Sequence, residues 1–447
     1  MTQPTETIDL LIEARWIAPV ETPELLINHS VAVNQGRIVG VLPTAQARSR
    51  FNARETCQLS QHILIPGLIN LHTHGAMSLL RGIADDLPLM TWLQKHIWPA
   101  EAALVSPAFV LDGTRLACAE MLLGGTTCFN DMYFYPEAAA QAASEFGMRA
   151  SLGITTLEFP TNYANDADDY LSKGLAAREA CSGQDLIRFT LAPHAPYTVS
   201  NKTFERILTL SEQLHLPIHC HLHETRQEIR DSQQQHGMPP IDRLQSLGLI
   251  TPGFIGVHAV HLSSNEITTL AAHGSHIAHC PSSNLKLGSG MAPTPALQQA
   301  GINIALGTDG AASNNRLDMF WEMRLAALLA KGLAEDPEQF NTQQTLRMAT
   351  LNGAKALGID HITGSISSGK SADLCAISLA DLQCQPCFDP LSHLIYVAGR
   401  EHVTHVWVAG KCQVRERILQ NAAFSDLERQ VALWQNKTAV CSTIAKQ

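Results

Sequence analysis

The chain has 447 residues, 45% hydrophobic and 16% charged, enough to bury a substantial core. Its formal charge of −10, with no basic run, argues against nucleic-acid backbones and anionic membranes as main partners. No window approaches the length of a membrane span, and the opening Met1-Thr-Gln-Pro-Thr-Glu-Thr-Ile-Asp lacks the basic and apolar parts of a secretion signal, so a cytoplasmic location is expected. Eleven cysteines without a framework suit reduced thiols. The close pair Cys384-Gln-Pro-Cys387 reads as a loop carrying two of them.

Residues 8–62 alternate in the manner of short strands, with Gln35-Gly36 as the turn of a hairpin, and no helix of useful length is expected before His72. From residue 63 the texture changes. Eight apolar runs, at 63–71, 126–131, 149–155, 187–192, 217–222, 254–259, 276–280 and 302–308, are separated by Ala- and Leu-rich helical stretches. Continuous apolar strands alternating with helices imply a parallel sheet covered on its outside, and eight of them predict a (β/α)8 barrel of the α/β class. An open doubly wound sheet would bring a phosphate loop, and neither G-x-G-x-x-G nor a P-loop is present. Helical patterns follow at 325–333 and 342–357, β alternation returns after Gly364 and at Val403-Thr-His-Val-Trp-Val, and a closing helix is expected at 426–435. The expected organisation is an N-terminal β part (1–62), a barrel (63–362) and a C-terminal part (363–447), the two ends forming one small β-sandwich.

A barrel places its chemistry at the C-terminal ends of its strands. Those positions hold His72 and His74, then His194, then His219, His221, His223 and Glu224, then His258 and His261, then His279, and finally Asp309. Read singly, each has an ordinary explanation. His-x-His could be two core histidines, His194 a packed ring between prolines, Glu224 a cap and Asp309 a turn residue before Gly310. Read jointly, His72, His74, His221 and Asp309 form a nitrogen and oxygen set suited to Zn²⁺ with a position open for water. Such a site lowers the pKa of water from about 16 to near 7. Asp309 then stands as the base, and Glu224 as the acid if burial raises its pKa. His219, His223, His261 and His279 are expected to be core or supporting residues.

With these residues placed, the chain resembles the amidohydrolase superfamily over nearly its whole length. The resemblance rests on P-G-x-I-x-x-H-x-H ending at His74, H-x-x-E from His221 to Glu224, His258, G-T-D at Gly307 to Asp309, and G-K-x-A-D-L ending at Leu374. It is most similar to the 5'-methylthioadenosine/S-adenosylhomocysteine deaminases, through the segment from His72 to Leu87, Trp92-Leu and Trp98-Pro-Ala-Glu101. The resemblance implies a distorted (β/α)8 TIM barrel with a β-sandwich built from both termini. It also implies a zinc-dependent deaminase of adenine nucleosides, acting through Glu224, His258 and Asp309, and a homo-oligomer, dimer or tetramer. Trp92, Glu101 and His194 are implied to bind substrate, with Glu101 on the ribose hydroxyls.

Two departures refine this expectation. No lysine stands at the third and fourth strand ends to bridge two metals, which favours one Zn²⁺ per chain. No arginine follows the third strand, so a substrate carboxylate would lack its bidentate partner. 5'-Methylthioadenosine and adenosine are therefore expected to be preferred over S-adenosylhomocysteine. The alternatives are an aminohydrolase of guanine, cytosine, a pterin or an s-triazine on the same scaffold, or a non-catalytic scaffold protein.

Overall fold

In the computed structural model, which describes residues 6–422 and 424–444, the chain forms two eight-stranded sheets. Residues 1–5, read above for a secretion signal, lie outside the described part. The strands run β1 (Glu6–Ile17), β2 (Leu26–Asn34), β3 (Arg37–Pro43) and β4 (Phe51–Pro66), then β5 (Leu68–Thr73), β6 (Thr126–Asp131), β7 (Arg149–Thr156) and β8 (Ile187–Pro193). They continue with β9 (Ile218–Leu222), β10 (Phe254–His258), β11 (His276–His279) and β12 (Asn303–Leu306). The last four are β13 (Leu374–Ser378), β14 (Val403–Val408), β15 (Lys411–Arg415) and β16 (Ile418–Leu419).

β5 to β12 are parallel neighbours in chain order and make the barrel wall. Successive side chains of a strand face opposite ways, so Ile69 and Leu71 pack outward with Ala354 and Leu357, while Asn70 and His72 point inward. The wall is uneven. β8 and β9 share one pairing, Leu191 with Ile218, and the β5–β6 ladder shifts register twice.

The other sheet has the order β16-β15-β14-β13-β4-β1-β2-β3, and so joins both ends of the chain across the β4–β13 pair. It folds over its own apolar layer, which includes Ile12, Val31, Leu64, Leu374 and Trp407.

The apolar run 63–71, read above as one strand, is two. It crosses from the terminal sheet to the barrel at Gly67, where a Cβ would fall 2.1 Å from Thr127 Oγ1. Hydrophobicity is continuous across the crossing because both halves are buried, so composition carries no break there. Before His72 a short helix, Thr44–Arg50, joins β3 to β4; it buries Ala47 alone and so leaves no apolar period to detect. The pattern at 342–357 is likewise two helices, Thr342–Met348 and Leu351–Ala356, separated at Thr350. The closing helix is longer than expected, Phe424–Ile444. Among the described residues no single helix is long and apolar enough to cross a membrane.

The barrel is clamped to the terminal sheet by a buried ion pair. Arg149, on β7, donates to both carboxylate oxygens of Asp373 at 3.0 and 3.3 Å. Asp373 Oδ1 also accepts from Ser371 Oγ at 2.8 Å and from the Ala409 amide at 2.7 Å. This explains the aspartate of the G-K-x-A-D-L segment. Asp373→Ala leaves a buried guanidinium uncompensated and is expected to lower stability by about 3–5 kcal/mol. Urea unfolding measures this, and a loss within error of zero would show that the clamp is dispensable.

Candidate active site

The inner ends of β5, β9, β10 and β12 converge on one point. Asp309 Oδ1 lies 3.2 Å from His72 Nε2 and 3.2 Å from His74 Nε2. Ligand atoms of His72, His74 and Asp309 fall within 4.8 Å of one another, and so do those of His72, His221 and His258. The two triads share His72, so they describe a single centre.

Each ring is turned by a bond on its far nitrogen. His74 Nδ1 donates to the Met132 carbonyl at 2.6 Å, His221 Nδ1 to the His194 carbonyl at 2.7 Å, and His258 Nδ1 to Asn284 Oδ1 at 2.9 Å. His72 Nδ1 and His219 Nε2 share a proton at 3.0 Å. A donor-occupied Nδ1 leaves Nε2 with a lone pair aimed inward, the form in which imidazole binds a metal. Buried His72 Nε2 has no hydrogen-bond partner of its own. Asp309 Oδ2 accepts from Ser283 Oγ at 2.6 Å, which fixes Oδ1 toward the histidines.

Burial and the Asp309 carboxylate act on these rings in opposite directions. Burial pulls the His72 imidazole down to about 4. His74 also resists charging by burial, but Asp309 and the Met132 carbonyl lift it to about 9. Despite its burial, Asp309 is held well below the usual carboxylate range by His72 and His74. A buried ionised carboxylate needs a positive partner, and three or four imidazole nitrogens around it suit a borderline-soft divalent ion. The residues fit zinc.

Glu224 follows β9 and faces this centre, with Oε2 3.8 Å from His258 Nε2. Burial raises its pKa, chiefly against the pull of His258. Its backbone is fixed by Glu228, whose carboxylate accepts from the amides of His223 and Glu224 at 3.1 and 2.9 Å. The cap of the helix that follows is Thr225, so Glu224 is not the cap. His258 (φ 71°) and Asp309 (φ 62°) hold left-handed backbone conformations, strained for residues other than glycine.

Above the centre opens a cavity of about 420 Å³ lined by Trp92, Glu101, Tyr133, His194, Glu224 and Asp309, among others. Glu101 faces this cavity. It sits on helix Trp98–Leu104, which continues a π-helical turn at Leu93–Ile97, and its Oε1 accepts from Tyr133 Oη at 2.7 Å. Burial lifts its carboxyl to about 6 against that bond. The same burial depresses His194 to about 3, leaving a neutral ring in the wall.

The four histidines left without a role divide. His219 supports His72, His223 Nδ1 donates to the His261 carbonyl at 2.9 Å, His261 Nε2 donates to the Ser289 carbonyl at 2.8 Å, and His279 is buried. Tyr133, Ser283 and Asn284 were not singled out in the sequence. The detectable signal was position, because each follows a strand end.

The Amidohydrolase family profile matches residues 63–412. Over 96% of its length the chain is 48% identical to the 5-methylthioadenosine/S-adenosylhomocysteine deaminase of Saccharophagus degradans, covering 96% of that protein. It is 41% identical over 88% of its length to the 5'-deoxyadenosine deaminase of Methanothermobacter thermautotrophicus, covering 90% of it. An adenosine deaminase structure from Xanthomonas campestris with bound zinc superposes with a TM-score of 0.96 at 48% identity, over 98% of this chain and 100% of that one. Atrazine chlorohydrolase from Arthrobacter aurescens shares the fold, at 23% identity with a TM-score of 0.83 over 96% of this chain and 100% of that one.

If Asp309 is a ligand, Asp309→Asn lowers both metal content and activity. Mass-spectrometric metal analysis of the purified variant checks this, and full retention of both would mean that another carboxylate holds the ion.

Proposed function

The chain belongs to the amidohydrolase family, and from that membership we propose that it is a zinc-dependent aminohydrolase of adenine nucleosides, converting 5'-methylthioadenosine and adenosine to the inosine-type product and ammonia. One observation carries the nucleoside part. The Glu101 carboxylate stands in the same cavity as the histidine–aspartate cluster and Glu224, with one oxygen tied to Tyr133. A carboxylate so placed can accept from both hydroxyls of a vicinal diol, whereas guanine, cytosine, a pterin or a triazine has no diol to offer. A non-catalytic scaffold has no use for a buried acid and base aimed at one cavity.

In this reading His72, His74, His221 and Asp309 hold one Zn²⁺ per chain, which when bound supplies Lewis acidity and makes water nucleophilic near neutral pH. His258 Nε2 orients the water that adds to C6 of the adenine ring, and Asp309 takes up its proton. Glu224, whose carboxyl burial shifts toward the protonated form, donates to N1, so that negative charge does not accumulate on the ring as C6 becomes tetrahedral. The proton on Asp309 then passes to the amino group, which leaves as ammonia, and the C6 hydroxyl returns a proton to Glu224 as the carbonyl forms. Trp92 and His194 wall the cavity without adding charge. No lysine or arginine lines this cavity among the described residues, which supports a weaker response to S-adenosylhomocysteine, whose amino-acid tail carries a carboxylate. A homo-oligomer is supported by Trp321, Leu328 and Leu333, exposed apolar side chains of helix Met319–Ala334.

A spectrophotometric deamination assay on metal-analysed protein, with 5'-methylthioadenosine, adenosine, S-adenosylhomocysteine, guanine and a triazine at equal concentration, tests the reading. The two neutral nucleosides lead if it is right; a leading free base or triazine overturns the substrate. Glu224→Gln is expected to keep its metal and lose about a hundred-fold or more in turnover. Glu101→Gln is expected to raise KM for nucleosides, and an unchanged KM would remove Glu101 from the ribose.

A further inference from the structure

Beyond Glu101 the cavity has a wall to which the reaction assigns nothing. Helix Trp98–Leu104 carries Trp98 and Glu101 three residues apart and therefore on one face. The loop after β7 brings Phe159 against Trp98, with ring centroids 6.2 Å apart and planes tilted by 58°. Both rings line the cavity.

This loop is fastened to the helix rather than draped over it. Asn162 Nδ2 donates to the carbonyls of Ala102 and Val105 at 2.9 and 3.1 Å. The Tyr135 hydroxyl donates to the Asn162 carbonyl at 2.6 Å, and the Tyr170 hydroxyl to Thr161 Oγ1 at 2.6 Å. Phe159 is nonetheless 38% exposed. An aromatic ring is thus held by its backbone at the mouth of a cavity, with much of its surface uncovered by the protein itself.

A chain of contacts orders the cavity from floor to mouth. The His74 ring lies 6.5 Å from that of Tyr133, Tyr133 binds Glu101, and Glu101 stands one helical turn from Trp98, which meets Phe159. An adenine nucleoside has the same order, from C6 through the ribose diol to the 5' carbon. We propose that Trp98 and Phe159 form the subsite for the 5' substituent and that they select an uncharged apolar group, such as a thioether, over a hydroxyl or an amino-acid tail. The proposal rests on the adenine-nucleoside reading above. Sulfur and methyl groups pack favourably against aromatic rings. A tail carboxylate finds no lysine or arginine in the lining among the described residues and shares the cavity with Glu101, Glu224 and Asp309.

The test is steady-state kinetics of the full-length, metal-loaded enzyme on 5'-methylthioadenosine, adenosine and S-adenosylhomocysteine. Wild type is expected to favour the methylthio nucleoside over adenosine by about tenfold or more in kcat/KM, the effect of one apolar group in a fitted pocket. Phe159→Ala removes most of that ratio, with a much smaller loss for adenosine, and Phe159→Leu, which keeps an apolar side chain, retains most of it. Phe159→Arg raises S-adenosylhomocysteine relative to the methylthio nucleoside by supplying a carboxylate partner, and it decides the matter should the alanine variant not fold. An unchanged ratio in Phe159→Ala, with both nucleosides still turned over, overturns the subsite. A wild type that turns over free bases and no nucleoside overturns the nucleoside reading first, and the subsite with it.

Discussion

Strand β12 reaches His72 only because residue 307 has no side chain. A Cβ at Gly307 would lie 2.8 Å from His72 Cβ and 2.9 Å from its backbone nitrogen, closer than packed atoms come. The last barrel strand is not laddered to the first in the sheet order, so other contacts seal the seam. Asp309 N donates to the His72 carbonyl at 2.9 Å, Asn70 Nδ2 to Thr308 Oγ1 at 2.7 Å, and Thr308 N to Asn70 Oδ1 at 2.9 Å. Each residue of the G-T-D segment thus has its own task. Gly307 permits the approach, Thr308 holds it, and Asp309 carries the charge to the histidines of the other end.

Everything at the centre depends on that seam, because a metal-type site tolerates little error in position. The surrounding bonds remove what freedom remains, since His72, His74, His221 and His258 are each fixed through Nδ1. Left-handed backbone at His258 and Asp309 costs of order 1–3 kcal/mol each, and such strain persists only where neighbouring contacts over-determine it. Other loops of the chain hold left-handed residues too, but His258 and Asp309 line the cavity, so part of that strain sits beside the cluster.

Much of this was legible in the sequence because it follows from periodicity. The eight apolar runs correspond to the eight barrel strands within a few residues, and the returns of β alternation near 374 and 403 correspond to β13 and β14. The histidines and acids at strand ends could be listed by position alone, and His72, His74, His221, His258, Asp309 and Glu224 meet. What could not be read depends on pairings between distant residues. Nothing near Asp373 announces Arg149, and nothing near Gly67 announces Thr127, because each needs the fold in place before the contact exists. Glu101 could be singled out only through the family resemblance for the same reason, its partner Tyr133 lying past the end of another strand. Phe159 was invisible as a site residue, since an aromatic ring in a loop has no period to mark it and only its attachment through Asn162 gives it a direction.

The β4–β13 pairing has a consequence in time as well as in space. Pro66 stands opposite Leu374 in that ladder, so the edge of β4 that receives β13 is complete only after some 300 further residues have been made. At 5–20 residues per second this is roughly 15–60 s on the ribosome. During that interval the edge at His62–Pro66 has no partner, and Arg149 waits without Asp373. Unpaired edges invite pairing with other chains. The chain is therefore most exposed to aggregation during its own synthesis, before the last short strands emerge to close the sheet.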